Sequence, residues 1–529
     1  MKRFVYVLML VLSVWGCSLL EREPDRRGRD AAVDVAHDMI VLGDKLDDPY
    51  SIDNVKEALA MLYPTRAGRM AVKPTDIYVR FLPASEDQYE RLVSMELNLI
   101  DHPLDYQILK EGDYYHDPSL DEDVITWQYA VVKPDFVFPS GIKYEILDEC
   151  YIPEGGTSTK SDGIDWEAVE REAFVLTGNS GLLAPEVRAG VSSGVAPSGR
   201  ICLVDDRVDG DGVEGLAGVK VSCNTFVKFA HAYTDADGCY EMKTKFSSDL
   251  RYRIVFQNEK GFAIGLNKIL VPASSSTLGA NPPDGVSLTI DGSSDRRMFC
   301  RAVVNNAAYQ YFDKCAEHGV RVVAPPVNTR LWIFQLLESS SAPMLQQGVL
   351  VDEQAIGQFL GDYKGLVKMF LPDITLGVRD LENYSSIYAQ TIHELAHGSH
   401  FSQVGKDFWN RYIRYVLLSY IETGGRMYGL GTGIDAGYCE VGEMWAYYMQ
   451  NRMYKDRYGE DNPTFGTSYW FQPHILLYMD ERGVDRSKIF RALTPSVISR
   501  SDLHNELDSL YPEFQIIIDQ AFQRYAEDN

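Results

Sequence analysis

The sequence predicts a multi-domain α+β protein with an N-terminal α+β domain, a small all-β sandwich and a mainly helical C-terminal domain. Its 529 residues, 45% of them hydrophobic, exceed what a single hydrophobic core usually holds. Short strand patterns separated by Asp-Gly turns fill the middle of the chain, and helical periodicity prevails from about residue 296. A stretch rich in Gly, Ser and Pro at 178–198 predicts a linker between the first two domains.

The first residues are predicted to be separate from the folded domains. Residues 1–16 combine two basic residues with an apolar run shorter than the ~20 residues that cross a bilayer, which is typical of a signal peptide. The tetrapeptide Val14-Trp15-Gly16-Cys17 resembles a bacterial lipobox. This resemblance implies an exported protein with a lipid on Cys17, a tether at 17–30 and, because Ser18 follows, a place in the outer membrane. The alternative is an ordinary cleaved signal in which Cys17 is incidental.

The N-terminal domain is predicted at 31–177. An amphipathic pattern that begins at Ser51 and is ended by Pro64 predicts a short helix, and runs at 76–82 and 127–132 predict strands. These patterns give the domain a fold class but no function.

The second domain is predicted at 199–290 as a β-sandwich, because short strand patterns recur there at regular spacing. The sequence Gly218-Val219-Lys220-Val221, followed by Thr234-Asp235-Ala236-Asp237-Gly238-Cys239-Tyr240, resembles the carboxypeptidase-regulatory or transthyretin-like module. The resemblance implies the sandwich fold and a spacer or weak binding role, and it implies no activity.

Four carboxylates of this domain form a candidate Ca²⁺ site. Asp205, Asp209, Asp211 and Glu214 carry the hard oxygen ligands that Ca²⁺ prefers. Their spacing is not that of an EF-hand loop, so a solvated turn is the alternative interpretation.

Charge and cysteine content limit the partners and the compartment. The chain has 51 Lys and Arg against 76 Asp and Glu, and the resulting net charge of −25 disfavours contact with phosphate backbones, so nucleic acid is not an expected partner. Seven cysteines remain after Cys17, and an exported chain would meet an oxidising compartment. We expect either one to three disulfides or small buried residues, with at least one free thiol.

The C-terminal domain, predicted at 296–529, contains the sequence His393-Glu394-Leu395-Ala396-His397. Residues four apart lie on one face of a helix, so His393 and His397 can offer two imidazoles to one metal ion, with Glu394 beside them. Neutral imidazoles suit Zn²⁺, and a carboxylate can activate a water molecule that the metal has acidified. Ser385 or Ser386 is expected to cap this helix.

A third protein ligand must be found elsewhere. His400 lies about 10 Å further along the helix than His393, too far to share the metal unless the helix breaks at Gly398. Position 403 is Gln403 rather than a third His, which excludes the HExxHxxGxxH pattern of metzincins. A later amphipathic run contains two candidates, Glu443 and, one turn earlier, Glu440.

The segment Glu443-Met444-Trp445-Ala446 resembles the ligand helix of gluzincins, and together with the HELAH segment and the leader it resembles putative zinc metallopeptidase lipoproteins of Bacteroidetes. The resemblance implies a zincin-like domain with one Zn²⁺ per chain on His393, His397 and Glu443, with Glu440 as the alternative ligand. It also implies hydrolysis of peptide or protein substrates outside the cytoplasm, with Glu394 as general base.

Two further features of a peptidase site stay open in the sequence. Tyr438, Tyr447 and His474 are candidates for stabilising an oxyanion, and none of them is preferred. The run 371–377 predicts a strand upstream of the HELAH helix, in the place where an extended substrate could add to the sheet edge.

The alternative function is that of a surface lipoprotein that binds a glycan or a protein on a degenerate zincin scaffold. A structural zinc site is a third option, and it would require four closed protein ligands.

Overall fold

The computed structural model shows a mixed α+β protein with several β-sheets and a helical C-terminal region. Among the residues that it describes, no helix reaches the length and hydropathy of a bilayer-crossing segment. The predicted signal peptide, Cys17, the tether and residues 185–193 of the predicted linker lie outside the described residues. The described ranges are 39–67, 71–121, 124–153, 163–184, 194–208, 210–266, 273–317, 320–349, 371–423, 428–465 and 470–525.

The N-terminal part contains two small antiparallel sheets and short helices. Its elements are β1 (Val41–Lys45), α1 (Ile52–Leu62), α2 (Pro64–Ala67), β2 (Asp76–Leu82), α3 (Glu86–Ser94), β3 (Tyr106–Lys110), β4 (Gln128–Val132), β5 (Lys143–Cys150) and α4 (Trp166–Leu176). Strand β1 pairs with β3, and β2 lies between β4 and β5. The predicted helix after Ser51 is confirmed, and the side chain of Ser51 caps it by accepting the N–H of Asn54.

The middle of the chain is all-β, as the spacing of strand patterns predicts. Its strands are β6 (Ser198–Val204), β7 (Val213–Gly215), β8 (Val219–Thr225), β9 (Lys228–Tyr233), β10 (Cys239–Glu241), β11 (Leu250–Asn258), β12 (Ala263–Leu266), β13 (Ser275–Asn281) and β14 (Leu288–Ile290). Strand β6 pairs with β7, β10 and β14 in one sheet, and β11 pairs with β8, β12 and β13 in the other. Residues on one face of β8 and β11, among them Val221 and Ile254, belong to the main hydrophobic core.

The second of these sheets continues into the C-terminal part. Strand β15 (Arg330–Phe334) pairs in parallel with β12, and β16 (Ile374–Gly377) pairs in parallel with β15. One hydrophobic core runs from the strands in the middle of the chain into the C-terminal helices. The sheet therefore crosses the position at which the sequence predicts a boundary between two domains.

The C-terminal helices are α5 (Arg296–Ala316), α6 (Tyr384–Glu422), α7 (Ala436–Tyr458), α8 (His474–Asp480), α9 (Arg486–Ala492), α10 (Arg500–Leu510) and α11 (Gln515–Arg524). Helix α6 consists of two helical stretches joined at Gly405, whose φ of 79° and ψ of −179° are not helical. A residue with a side chain would be strained at this positive φ, whereas glycine adopts it readily. Glycine is therefore favoured at the kink. The kink lets both stretches of α6 pack against α7.

All seven cysteines that follow Cys17 are free thiols, so the expectation of disulfides is wrong. Six of them are buried and Cys239 is exposed, which confirms the alternative of small buried residues for the six. The sequence positions of these cysteines could not show whether disulfides form, because a disulfide requires two cysteines that the fold brings close together.

Candidate metal centre

The HELAH segment lies in the first stretch of α6, on a helix with a defined start. The side chain of Asn383 accepts the N–H of Ser386 at 2.9 Å, so Asn383 is the cap and the expectation for Ser385 or Ser386 is wrong. The helical period places His393 and His397 on one face, with ring centroids 4.8 Å apart. Trp445 on α7 donates its indole N–H to the carbonyl of Ala396 at 3.1 Å and so fixes α7 against this segment.

Three buried side chains converge where the two helices meet. Nε2 of His393 lies 3.5 Å from Oε2 of Glu443, and Nε2 of His397 lies 3.4 Å from Oε1 of Glu443. Ligand atoms of these three residues all lie within 4.8 Å of one another, and the group could hold a metal ion. Two ligands bound tetrahedrally at about 2.0–2.2 Å are separated by about 3.3–3.6 Å, which matches both distances. Two imidazoles and a carboxylate are a donor set that suits zinc.

Glu440, the alternative third ligand, is not part of this group. Its carboxylate pairs with Nε of Arg500 at 3.2 Å and accepts the backbone N–H of Arg500 at 3.1 Å. Glu440 is therefore an N-terminal anchor for α10, and the prediction of Glu440 as a ligand is wrong. Because Glu440 precedes Glu443 by three residues, helical spacing alone placed both carboxylates near one face of α7. The position of α10, which the sequence did not give, brings Arg500 to Glu440 and so separates the two residues.

The carboxylate of Glu443 is held in the ionised form that binds a cation. Burial alone would raise the pKa of Glu443, but the charges of His397 and His393 and their hydrogen bonds hold this pKa well below its usual range. Burial lowers the pKa of His397. Burial also acts to lower the pKa of His393, but Glu443 and Glu394 outweigh it and the pKa is raised. The carboxylate of Glu443 is thus ionised, as a metal ligand must be.

Glu394 is buried beside this group with half of its carboxylate free. Gln390, one turn earlier on α6, donates to Oε1 of Glu394 at 2.8 Å. Within the part of the chain that the structure describes, Oε2 of Glu394 has no hydrogen-bond partner, and neither has Oε2 of Glu443. Burial raises the pKa of Glu394 to about 7. A buried carboxylate oxygen without a partner is rare and indicates a missing ion, water or substrate group.

Two residues that support the centre were missed at the level of sequence. Tyr412, beyond the kink in α6, donates its hydroxyl proton to Oε1 of Glu443 at 2.6 Å. Gln390 precedes Glu394 by four residues, so helical spacing alone could have indicated it. No sequence signal pointed to Tyr412, because the turn of the chain at Gly405 brings it back to the site.

Other candidates from the sequence occupy different places. His400 is buried against Phe408 and Trp409, and the helix continues through Gly398, so His400 lies outside the metal group as its distance along the helix predicts. Of the three candidates for oxyanion stabilisation, Tyr447 contacts the centre, with its ring 4.5 Å from that of His393.

Tyr438 and His474 contact other side chains. Tyr438 packs against Phe408 at a centroid distance of 4.6 Å. His474 stacks on Tyr525 at 5.6 Å. Neither contact involves a residue of the metal group.

The predicted strand at 371–377 is present as β16, but its outer edge is already paired. Ser341 and Thr375 exchange two backbone hydrogen bonds of 2.9 and 2.8 Å, and Met344 donates to the carbonyl of Asp373 at 2.9 Å. The chain's own segment covers this edge, so the expectation that an extended substrate adds to β16 is wrong.

The carboxylates of the predicted Ca²⁺ site have protein partners. Arg457 on α7 donates to Asp205 at 2.7 Å and to Glu214 at 3.0 Å. Asp209 lies outside the described residues. Because a guanidinium already neutralises two of the four carboxylates, the structure does not support the Ca²⁺ expectation.

The surface carries one more His and Asp group whose atoms lie close together. Nε2 of His504 on α10 lies 2.8 Å from Asp519 and 3.5 Å from Asp508. Both contacts use the same nitrogen and the group is partly exposed, which is typical of a surface ion pair.

Comparisons with family models, with curated proteins and with solved structures found no match for this chain.

Proposed function

We propose that this protein is a zinc-dependent peptidase that hydrolyses peptide bonds in proteins or peptides outside the cytoplasm. The observation that carries the proposal is the convergence of His393, His397 and Glu443 at distances that suit one tetrahedral ion, with Glu394 beside them. Three protein ligands leave one position open, which is typical of catalytic rather than structural zinc sites.

Each residue of the centre has a part in the proposed reaction. His393, His397 and Glu443 hold the ion, and Tyr412 fixes the carboxylate of Glu443 by a hydrogen bond. A bound zinc ion supplies a Lewis acid that polarises a carbonyl and lowers the pKa of water. Oε2 of Glu394, which has no other partner among the described residues, takes a proton from the attacking water and returns it to the leaving amine. Gln390 holds Oε1 of Glu394 and so keeps the carboxylate oriented.

The architecture and the location belong to the same proposal. We infer an N-terminal α+β domain, a β-sandwich of the carboxypeptidase-regulatory type and a gluzincin-like catalytic domain, related to putative zinc metallopeptidase lipoproteins of Bacteroidetes. A lipid on Cys17 would hold the protein at the bacterial outer membrane. This anchor would leave the peptidase domain facing substrates outside the cytoplasm.

The test compares three substitutions in the chain from Ser18 onward, which keeps every described residue. Glu394→Gln is expected to keep one zinc per chain and to lose hydrolysis by about 10²–10⁴-fold, because only the proton acceptor is removed. Glu443→Ala is expected to lose both zinc and hydrolysis. Glu440→Ala is the matched control on the same helix, and it is expected to keep both because Glu440 pairs with Arg500.

Zinc is measured by elemental analysis after dialysis, and hydrolysis by mass spectrometry on a peptide library. Equal zinc loss in Glu440→Ala and Glu443→Ala would contradict the assigned ligands. A wild-type protein that takes up no zinc when it is offered would overturn the peptidase proposal and favour a binding lipoprotein with a degenerate site.

A further inference from the structure

A second site is indicated by a cavity of about 440 Å³ between the N-terminal part and the sandwich. Small-molecule sites have about 300–1,000 Å³, so this volume is sufficient for a small ligand. None of the residues of the metal centre lines it. The floor is formed by β8, β11 and β13, and the other wall by the segment that follows α3 and by Tyr114.

The floor of the cavity is the polar face of this sheet, and the opposite face is apolar. Arg253 on β11 lies opposite Ser222 on β8 and Thr277 on β13, and the pairing register places all three on one face. Their neighbours Tyr252 and Ile254 point to the other face and belong to the hydrophobic core. The sheet thus buries one face in the core and presents hydroxyl groups and cations to the cavity.

Within the described part of the chain, two cations on this floor make their hydrogen bonds to neutral groups. Arg253 is buried, and its guanidinium donates to Oδ1 of Asn224 at 3.2 Å and contacts Nε2 of His102 at 3.3 Å. Nζ of Lys220 donates to Oδ1 of Asn98 at 3.1 Å. Residues 220 and 253 are diagonal neighbours on paired strands, about 7–8 Å apart at Cβ, so both side chains can reach one ligand.

The other charged groups of the lining have partners of their own. Glu90 pairs with Arg330, and Asp113 pairs with Arg301 at 2.8 Å. Asp101 accepts the N–H of Tyr115 on one oxygen and contacts Nδ1 of His102 on the other. Among the described residues, neither Arg253 nor Lys220 has an anion in direct contact, and the carboxylate of Asp101 reaches Arg253 only through the neutral ring of His102. A buried charge without a direct counter-ion is costly.

His102 holds Arg253 in this orientation. Burial lowers the pKa of His102, so its imidazole is neutral. Nδ1 of His102 donates its proton to Asp101 at 2.8 Å. Nε2 therefore carries a lone pair, and it accepts a hydrogen bond from the guanidinium of Arg253. The guanidinium is therefore positioned in advance of any ligand.

We propose that this cavity binds a small hydroxylated carboxylic acid of the sugar-acid class, with its carboxylate on Arg253 and Lys220. A guanidinium and an ammonium recognise the carboxylate, and the hydroxyl and amide side chains around them suit the hydroxyl groups of a sugar ring. These side chains are Asn98, Gln128, Ser222, Ser275, Thr277 and Asn328. The site is separate from the metal centre and does not depend on the proposed peptidase activity.

The test is calorimetric titration of the chain from Ser18 onward with galacturonate and glucuronate. Galactose and glucose, which lack the carboxylate, are the neutral control ligands. Saturable binding of at least one sugar acid is expected, and Arg253→Gln and Lys220→Gln are each expected to weaken it at least about tenfold. Arg251→Gln is the matched control, because Arg251 lies two residues away on the same strand face and is already paired with Glu111 at 2.5 Å. It is expected to change the affinity by less than about threefold.

Melting temperatures separate a ligand role from a structural one. Lys220→Gln is expected not to lower the melting temperature of the unliganded protein, because it removes a charge whose hydrogen bond, among the described residues, goes to the neutral Asn98. A folded wild-type protein that binds no sugar acid, or binds galactose as tightly as galacturonate, would overturn the proposal. Saturable binding of inorganic phosphate without that of any sugar acid would equally contradict it.

Discussion

The hydroxyl of Tyr412 lies 2.6 Å from Oε1 of Glu443 and donates its proton to it. This contact joins the second stretch of α6 to the third candidate metal ligand on α7, and both side chains are buried. Partners of this kind orient ligating carboxylates, and their loss typically weakens metal binding by 10- to 100-fold.

Tyr412→Phe is therefore expected to weaken zinc binding about 10- to 100-fold while the protein stays folded. Affinity is measured by competition with a chelator of known affinity. Tyr415→Phe is the control, since Tyr415 lies on the same stretch of helix but donates to the carbonyl of Tyr428. Equal affinities of the wild type and Tyr412→Phe would show that Glu443 is oriented without this hydrogen bond.

Arg457 links the helix of Glu443 to the β-sheet region in the middle of the chain, because it donates to both Asp205 and Glu214. Arg457→Met is expected to lower the free energy of unfolding by about 3–5 kcal/mol, since it leaves the fully buried Asp205 carboxylate without its cationic partner, with the hydroxyl of Tyr458 and the N–H of Arg207 as its remaining donors. Urea denaturation measures the change. Lys455→Met on the same helix is the control and is expected to cost less than about 1 kcal/mol, because Lys455 and its partner Asp461 are partly exposed. Similar losses in the two variants would contradict the role of the buried pair.

Asp48 predicts a pH dependence of stability. Burial raises the pKa of this carboxyl from 3.8 to about 8, and its Oδ2 has no partner within the described part of the chain. Between these pH values folding takes up a proton, so the contribution of Asp48 to the free energy of unfolding falls as pH rises from about 4 to about 8.

Asp48→Asn keeps an oxygen that can accept the N–H of Tyr50 and removes the charge. We expect this variant to be more stable than the wild type by on the order of 5 kcal/mol at pH 8 and equal to it near pH 4. Urea denaturation at both pH values is the measurement. A stability gain of the same size at pH 4 would show that its cause is not the ionisation of Asp48.

The seven cysteines predict a simple thiol count. In the chain from Ser18 onward, Ellman's reagent is expected to react with one thiol in the native protein, Cys239, and with all seven in urea without reductant. Reductant is expected to leave the melting temperature unchanged. Fewer than seven reactive thiols in urea would reveal a disulfide and contradict the structure.

Much of the site could be predicted from the sequence because its first part is local. His393, Glu394 and His397 lie within one turn of a helix, and a period of 3.6 residues fixes their relative positions wherever the helix packs. The same reasoning kept His400 apart from them. Strands in the middle of the chain could also be recognised, since strand and turn propensities act over a few residues.

The remaining features depend on residues far apart in the chain, and only the tertiary structure decided them. Glu443 was preferred to Glu440 one turn earlier, and the packing of α10, which brings Arg500 to Glu440, leaves Glu443 as the carboxylate that joins His393 and His397. The kink at Gly405 brought Tyr412 to the site, and the pairing of β12 with β15 joined two predicted domains in one sheet. Local sequence patterns specify helices, strands and the spacing within them, whereas contacts between distant segments are set by the packing of the whole core.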